Sequence, residues 1–133
     1  MTAADPRRAE LPYIPRRDAG RYEPGNVNLA GYAGQYEALK RILGLGVENI
    51  FAHAKPMCDR LKRELPAVGY KLITPADAAG SIVVVQAKDL KAAQKKLERA
   101  NIQVTLVGEN RIRISPALYN NMGDIEKLLS ALG

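Results

Sequence analysis

The sequence predicts an α+β domain, with a mainly antiparallel sheet and helices packed on one face. Three observations lead there. Helix-period and strand-period segments follow the order helix, helix, strand, strand, helix, strand, strand, helix. The candidate strands are short, and the last two flank a Gly-Glu-Asn hairpin signal, which suits antiparallel pairing. The chain has 133 residues, 47% of them hydrophobic, which is enough for one buried core and too apolar for a disordered chain.

Residues 1–27 hold Pro6, Pro12, Pro15 and Pro24, with Gly20 and Gly25. Proline this dense cannot sustain a helix or a central strand, so 1–27 reads as an extended Pro/Arg-rich arm. The folded domain is then 28–133. Residues 29–43 form the first helix, where Leu29, Tyr32, Tyr36, Leu39 and Leu43 step by three and four into one apolar stripe. Gly31 and Gly34 within it point to a close approach, by another helix or a partner chain. Gly44 and Gly46 are expected to end it. Residues 47–65 repeat the pattern with Val47, Ile50, Phe51, Ala54, Cys58, Leu61 and Leu65. Pro56 lacks an N–H and is expected to kink or break that helix near 52–56.

Tyr70 to Ile73 reads as a short strand closed by Thr74-Pro75. Ser81 to Gln86 is a Val/Ile run suited to a strand buried on both faces. Residues 89–100 make a helix capped by Asp89, with Leu90, Ala93, Leu97 and Ala100 on one side and Asn101 in a left-handed conformation after it. Ile102–Val107 and Arg111–Ser115 are the hairpin strands. Residues 122–132 form the last helix, capped by Asn120 or Asn121, with Ile125, Leu128, Leu129 and Leu132 as its stripe.

The composition excludes several function classes. One Cys rules out an internal disulfide framework and a cysteine-based zinc site, and the single His53 has no second ligand near it in sequence. No metal site is expected. Cys58 falls on an apolar stripe and reads as a buried, inert thiol. No apolar run is long enough to span a membrane, and the N-terminus lacks an apolar signal-peptide core, so a cytoplasmic setting is expected. The net charge of +6 comes mainly from residues 55–71 and 88–99, each with five basic and two acidic residues. Acids are mixed into both clusters and aromatics are not interleaved, so solvated helix faces are expected, and no nucleic-acid partner.

Alternation along Arg111-Ile112-Arg113-Ile114-Ser115 sends the isoleucines to the core and Arg111, Arg113 and Ser115 to the other side. A guanidinium on a stiff strand can grip a carboxylate with two parallel hydrogen bonds. The same position also suits an arginine kept for solubility, or one paired with an acid across the sheet.

The segments RYEPGNVNLAG (21–31), LGVENI (45–50), GYKLITP (69–75) and RIRISPALYNNMGDIEKLLSAL (111–132) together resemble the C-terminal part of class V aminotransferases. These are pyridoxal-phosphate enzymes that include cysteine desulfurases, kynureninase and isopenicillin N epimerase-like proteins. The resemblance covers roughly residues 11–133. It implies the small C-terminal domain of a fold-type I enzyme acting on an amino or keto acid, within a homodimer. The large domain, which carries the cofactor on a lysine, is implied upstream or separately encoded. The arginine ahead of the S-x-x-x-Y-N stretch binds the substrate carboxylate in this family, which implies that role for Arg113. The upstream arm approaches the cofactor phosphate through a Gly-Thr pair, which implies cofactor contact for Gly25 and Asn26. An Asn amide can donate to phosphate in place of the Thr hydroxyl.

No lysine precedes Arg21, and no Cys lies between Ile102 and Arg113, so neither the Schiff-base lysine domain nor persulfide chemistry is expected here. The expectation is a substrate-side domain, inactive alone, with no catalytic residue and no cofactor held by this chain alone. A free-standing ACT-like amino-acid-binding regulatory module is the alternative, since Ser81 onwards also runs strand, helix, strand, strand, helix.

Overall fold

The computed structural model describes residues 17–22 and 25–133; Pro6, Pro12, Pro15 and Pro24 of the expected arm lie outside them. The chain divides into two compact units, residues 1–38 and 39–133.

In the first unit, Ala19–Tyr22 is a single 3-10 turn, where an extended arm was expected. The side chain of Asp18 accepts the Gly20 N–H at 2.9 Å and so nucleates it. Arg21 lies 4.9 Å from the centre of the Tyr22 ring, a cation–π distance. Helix α1 spans Leu29–Leu45. Asn28 starts it by accepting the Gly31 N–H at 2.9 Å. That bond also explains Gly31: a Cβ there would lie 2.6 Å from the Asn28 side chain. The close approach expected at Gly31 is therefore made by the helix's own cap. Gly34 has open space instead. Helix α1 buries no residue, and its stripe is exposed, with Leu29, Tyr32 and Leu43 at 75%, 63% and 70%.

Gly44 does not end α1; Gly46 does, at φ +84°. Its N–H closes on the Ile42 carbonyl at 3.1 Å, and its carbonyl receives the Ile50 N–H as α2 begins. Helix α2 runs unbroken over Val47–Glu64, so the break expected near Pro56 does not occur. Pro56 and Ala52 are both exposed, so the proline ring and the carbonyl it leaves without a donor face solvent. The opposite face buries Ala54, Met57, Cys58 and Leu61.

A left-handed Gly69 (φ +93°) turns the chain after a 3-10 turn at Pro66–Val68, and Tyr70 N–H bonds back to the Leu65 carbonyl. Strand β1 is Lys71–Leu72, β2 is Val83–Gln86, β3 is Thr105–Val107 and β4 is Arg111–Ile114. The sheet order is β1-β2-β4-β3, with every neighbour antiparallel. Helix α3 (Leu90–Arg99) begins at Asp89, whose side chain accepts the Ala92 N–H at 2.9 Å. It ends in a Schellman motif at left-handed Asn101 (φ 51°), with Ile102 N–H on the Leu97 carbonyl and Asn101 N–H on the Glu98 carbonyl. Helix α4 is Met122–Leu132.

The fold is therefore α+β, and α2, α3 and α4 cover one sheet face. Their core joins Met57, Leu61, Leu97, Ile125 and Leu128 to Val83, Val85, Ile112 and Ile114. The alternate residues of β2, Val84 and Gln86, are half-buried, so this strand is not buried on both faces as expected. The reason is that α2, α3 and α4 all pack on the other face.

The charged cluster of α2 is ion-paired. Lys55 and Lys62 share Asp59, Arg60 bridges Glu64 and Glu126, and Arg63 pairs with Glu64. The Lys62 side chain is only 8% exposed. Its ammonium donates to the Ala76 and Ala78 carbonyls at 3.1 and 2.9 Å as well as to Asp59, which fastens the 74–80 loop to α2. No described helix is long and apolar enough to cross a membrane.

Leu61 is fully buried at the centre of this core. Leu61→Ala is expected to destabilise the chain by about 2–5 kcal/mol, read as a lower urea midpoint with an unchanged slope. Burial pushes the Cys58 thiol upward, and the charge of nearby Lys62 offsets this only in part. A thiol reagent is accordingly expected to modify Cys58 at the unfolding rate, with fast labelling only in denaturant.

Candidate functional site

Strand β4 and the loop after it carry the residues that the sequence singled out. Burial alternates without a break from Arg111 to Pro116: Ile112, Ile114 and Pro116 are buried, while Arg111, Arg113 and Ser115 are exposed. The ladder register places Val84 and Thr105 on either side of Arg113, and Gln86 and Val107 on either side of Arg111. Both arginines thus project from an inner strand, on the sheet face opposite α2, α3 and α4. Neither forms an ion pair with a described residue, in contrast to Arg60 and Arg63 on the helical layer. The acid nearest in sequence, Glu109, sits in the three-residue turn between β3 and β4.

Beside Arg113 lies a shallow cleft of about 280 Å³, lined by Gln103, Val104, Thr105, Arg113 and Ser115. Its polar groups are one guanidinium, two hydroxyls and one amide. This set donates hydrogen bonds to an anion and contains no carboxylate to repel it. Of the sequence-level readings of Arg113, pairing with an acid across the sheet is not what the structure shows. Its cross-strand neighbours are Val84 and Thr105.

Gln103 and Thr105 were not identified from the sequence. The signal for Thr105 was available, because a three-residue turn at 108–110 pairs Val107 with Arg111 and therefore Thr105 with Arg113. Gln103 precedes β3 and had no comparable signal. Gly25 and Asn26 belong to the first unit and form an exposed bend, and a Cβ on Gly25 would meet nothing within 4 Å. Neither residue is cradled by the described part of that unit. Glu23 and Pro24 of the same motif lie outside the described residues.

The loop after Ser115 is held by its asparagines. Asn120 accepts the Ala117 N–H through its side chain at 2.9 Å, and its own N–H donates to the Ala117 carbonyl. Its carbonyl meets His53 Nε2 at 2.7 Å, which ties the loop to α2. Asn121 caps α4 by accepting the Gly123 N–H, and Asp124 closes the capping box on the Asn121 N–H. The Asn-Asn pair thus fixes where β4 hands over to α4. His53 is exposed and has a structural hydrogen bond; no metal-holding cluster occurs among the described residues.

Pyridoxal phosphate needs a desolvated lysine amine. Among the described lysines only Lys62 is nearly enclosed, and its three N–H groups are taken by Asp59, Ala76 and Ala78. The described residues do not fit a Schiff-base site. The chain matches no protein-family model and no curated protein sequence.

The hydrogen bonds from the Asn121 N–H and the Asn120 amide hold the Asp124 carboxyl below the usual carboxylate range. A depressed folded-state value stabilises above the ordinary aspartate value of 3.8, and that contribution is lost as pH falls through the folded value. Urea midpoints measured across the acid range are expected to fall less steeply for Asp124→Asn than for the parent chain.

Proposed function

We propose that this chain is the substrate-side small domain of a class V aminotransferase-like, pyridoxal-phosphate-dependent enzyme, and that Arg113 anchors the carboxylate of an amino or keto acid. The observation that carries this reading is the Arg113 guanidinium, which has no ion pair among the described residues and stands on a rigid central strand, with Thr105, Ser115 and Gln103 around the adjoining cleft. A carboxylate there gains charge-assisted hydrogen bonds from a donor whose backbone cannot drift. The residue resemblance stated above supplies the family. The lysine inventory supports a division of labour in which the cofactor is held by a separate large domain.

Helix α1 supports the same picture. Leu29, Tyr32 and Leu43 are exposed on it, and exposed apolar side chains gathered on one element suit a contact with a partner. The large domain and the homodimer are the partners this reading supplies. Gly25 and Asn26 would then meet the cofactor phosphate only in the complete enzyme. The buried free thiol of Cys58 suits a reducing, cytoplasmic location.

Two measurements test the proposal on the chain as it stands. Amino acids titrated against the labelled chain are expected to shift the Arg113 side-chain and Thr105 signals with weak affinity. Arg113→Ala is expected to weaken that binding about tenfold or more. Pyridoxal phosphate added to the pure chain is expected to leave no stable internal-aldimine absorbance band. A band abolished by replacing one lysine would show that the chain carries its own cofactor site. An undisturbed Arg113 would remove the carboxylate role.

A further inference from the structure

The charge left over on the open sheet face narrows the substrate class. Arg111 and Arg113 stand two positions apart on β4, both exposed and on the same side. Same-side residues on a strand are about 6.6 Å apart, so two cations here repel each other unless an anion lies between or above them. On the helical layer the arginines of α2 are each matched by a glutamate. On the sheet, Lys71 lies in the same row as Arg111, across Gln86, and adds further positive charge. No carboxylate among the described residues pairs with Lys71, Arg111 or Arg113.

We infer that the site takes an amino or keto acid with a second carboxylate, gripped at one end by Arg113 and at the other by Arg111. This rests on the carboxylate role proposed for Arg113. The two ends of the site are chemically distinct. Around Arg113 the neighbours are Thr105, Ser115 and Gln103, which suit the carboxylate next to the reacting carbon. Around Arg111 the cross-strand neighbours are Gln86, whose amide can donate to a second carboxylate, and Val107, which can pack against an aliphatic chain. A four- or five-carbon dicarboxylate spans two such arginines when their flexible side chains converge. A monocarboxylate leaves Arg111 uncompensated, and this difference sets the specificity.

The test compares L-glutamate with L-glutamine, which have the same shape and differ in the second charge. Binding to the full chain is followed by NMR through the arginine Nε–H signals. Glutamate is expected to shift both Arg111 and Arg113 and to bind about tenfold more tightly than glutamine, which shifts Arg113 alone. Arg111→Gln is expected to abolish the difference between the ligands by lowering glutamate binding to the level of glutamine binding. Arg111→Lys, which keeps the charge but loses the planar fork, is expected to restore part of it. Both arginines are exposed and have no ion pair among the described residues, so the variants leave the fold in place, checked by an unchanged urea midpoint. Equal affinities with Arg113 still responding would overturn the dicarboxylate inference and leave the carboxylate role of Arg113 standing. Silence at Arg113 with both ligands would overturn the two together.

Discussion

Val83 and Val85 of β2 lie opposite Ile114 and Ile112 of β4, and all four are buried under the helices. This apolar ladder is the constraint on which the second unit depends. Because side chains alternate with a period of two, fixing these four inward fixes Val84, Gln86, Arg111 and Arg113 outward. A slip of one residue would push two guanidiniums into the core, where an unpaired charge costs far more than the ladder bonds return. The positions of the arginines are therefore a consequence of core packing. The stiffness of the strand beneath Arg113 comes from the same source.

Charge is compensated unevenly over the second unit, and the ion pairs gather on α2. On α2, basic residues are matched by acids on the same helix or on α4, as in the Arg60 bridge between Glu64 and Glu126. Lys62 goes further and uses its ammonium to hold backbone carbonyls of the 74–80 loop. These groups are spent on structure. On the open side the positive charges of Lys71, Arg111 and Arg113 have no matching acid among the described residues. Compensation is thus concentrated on α2, where the charged side chains tie that helix to α4 and to the 74–80 loop.

Much of this was legible before the structure. The element order, the Asp89 cap, left-handed Asn101 and the extent of α4 all follow from local chemistry, because capping side chains and residues that tolerate positive φ act within a few positions of themselves. The outward aim of Arg113 followed from alternation alone. The misreadings share one cause. Pro56 signals a break, but it sits on the exposed face of α2, where the orphaned Ala52 carbonyl can meet solvent. Gly31 signals a close neighbour, and the neighbour is its own Asn28 cap. In each case the residue type states a local constraint, and only its surroundings decide how the constraint is met.

By itself the sequence determined the α+β class, the helix caps and the side of β4 on which the arginines stand, since these depend on periodicity and short-range hydrogen bonds. The tertiary structure decided which cations are neutralised and which are left bare. It also brought Thr105, Gln103 and Ser115 around Arg113, and set Gln86 and Val107 beside Arg111. Charge compensation and cross-strand neighbours are set by strand order and register. These bring together residues far apart in the chain, as β2 and β4 do.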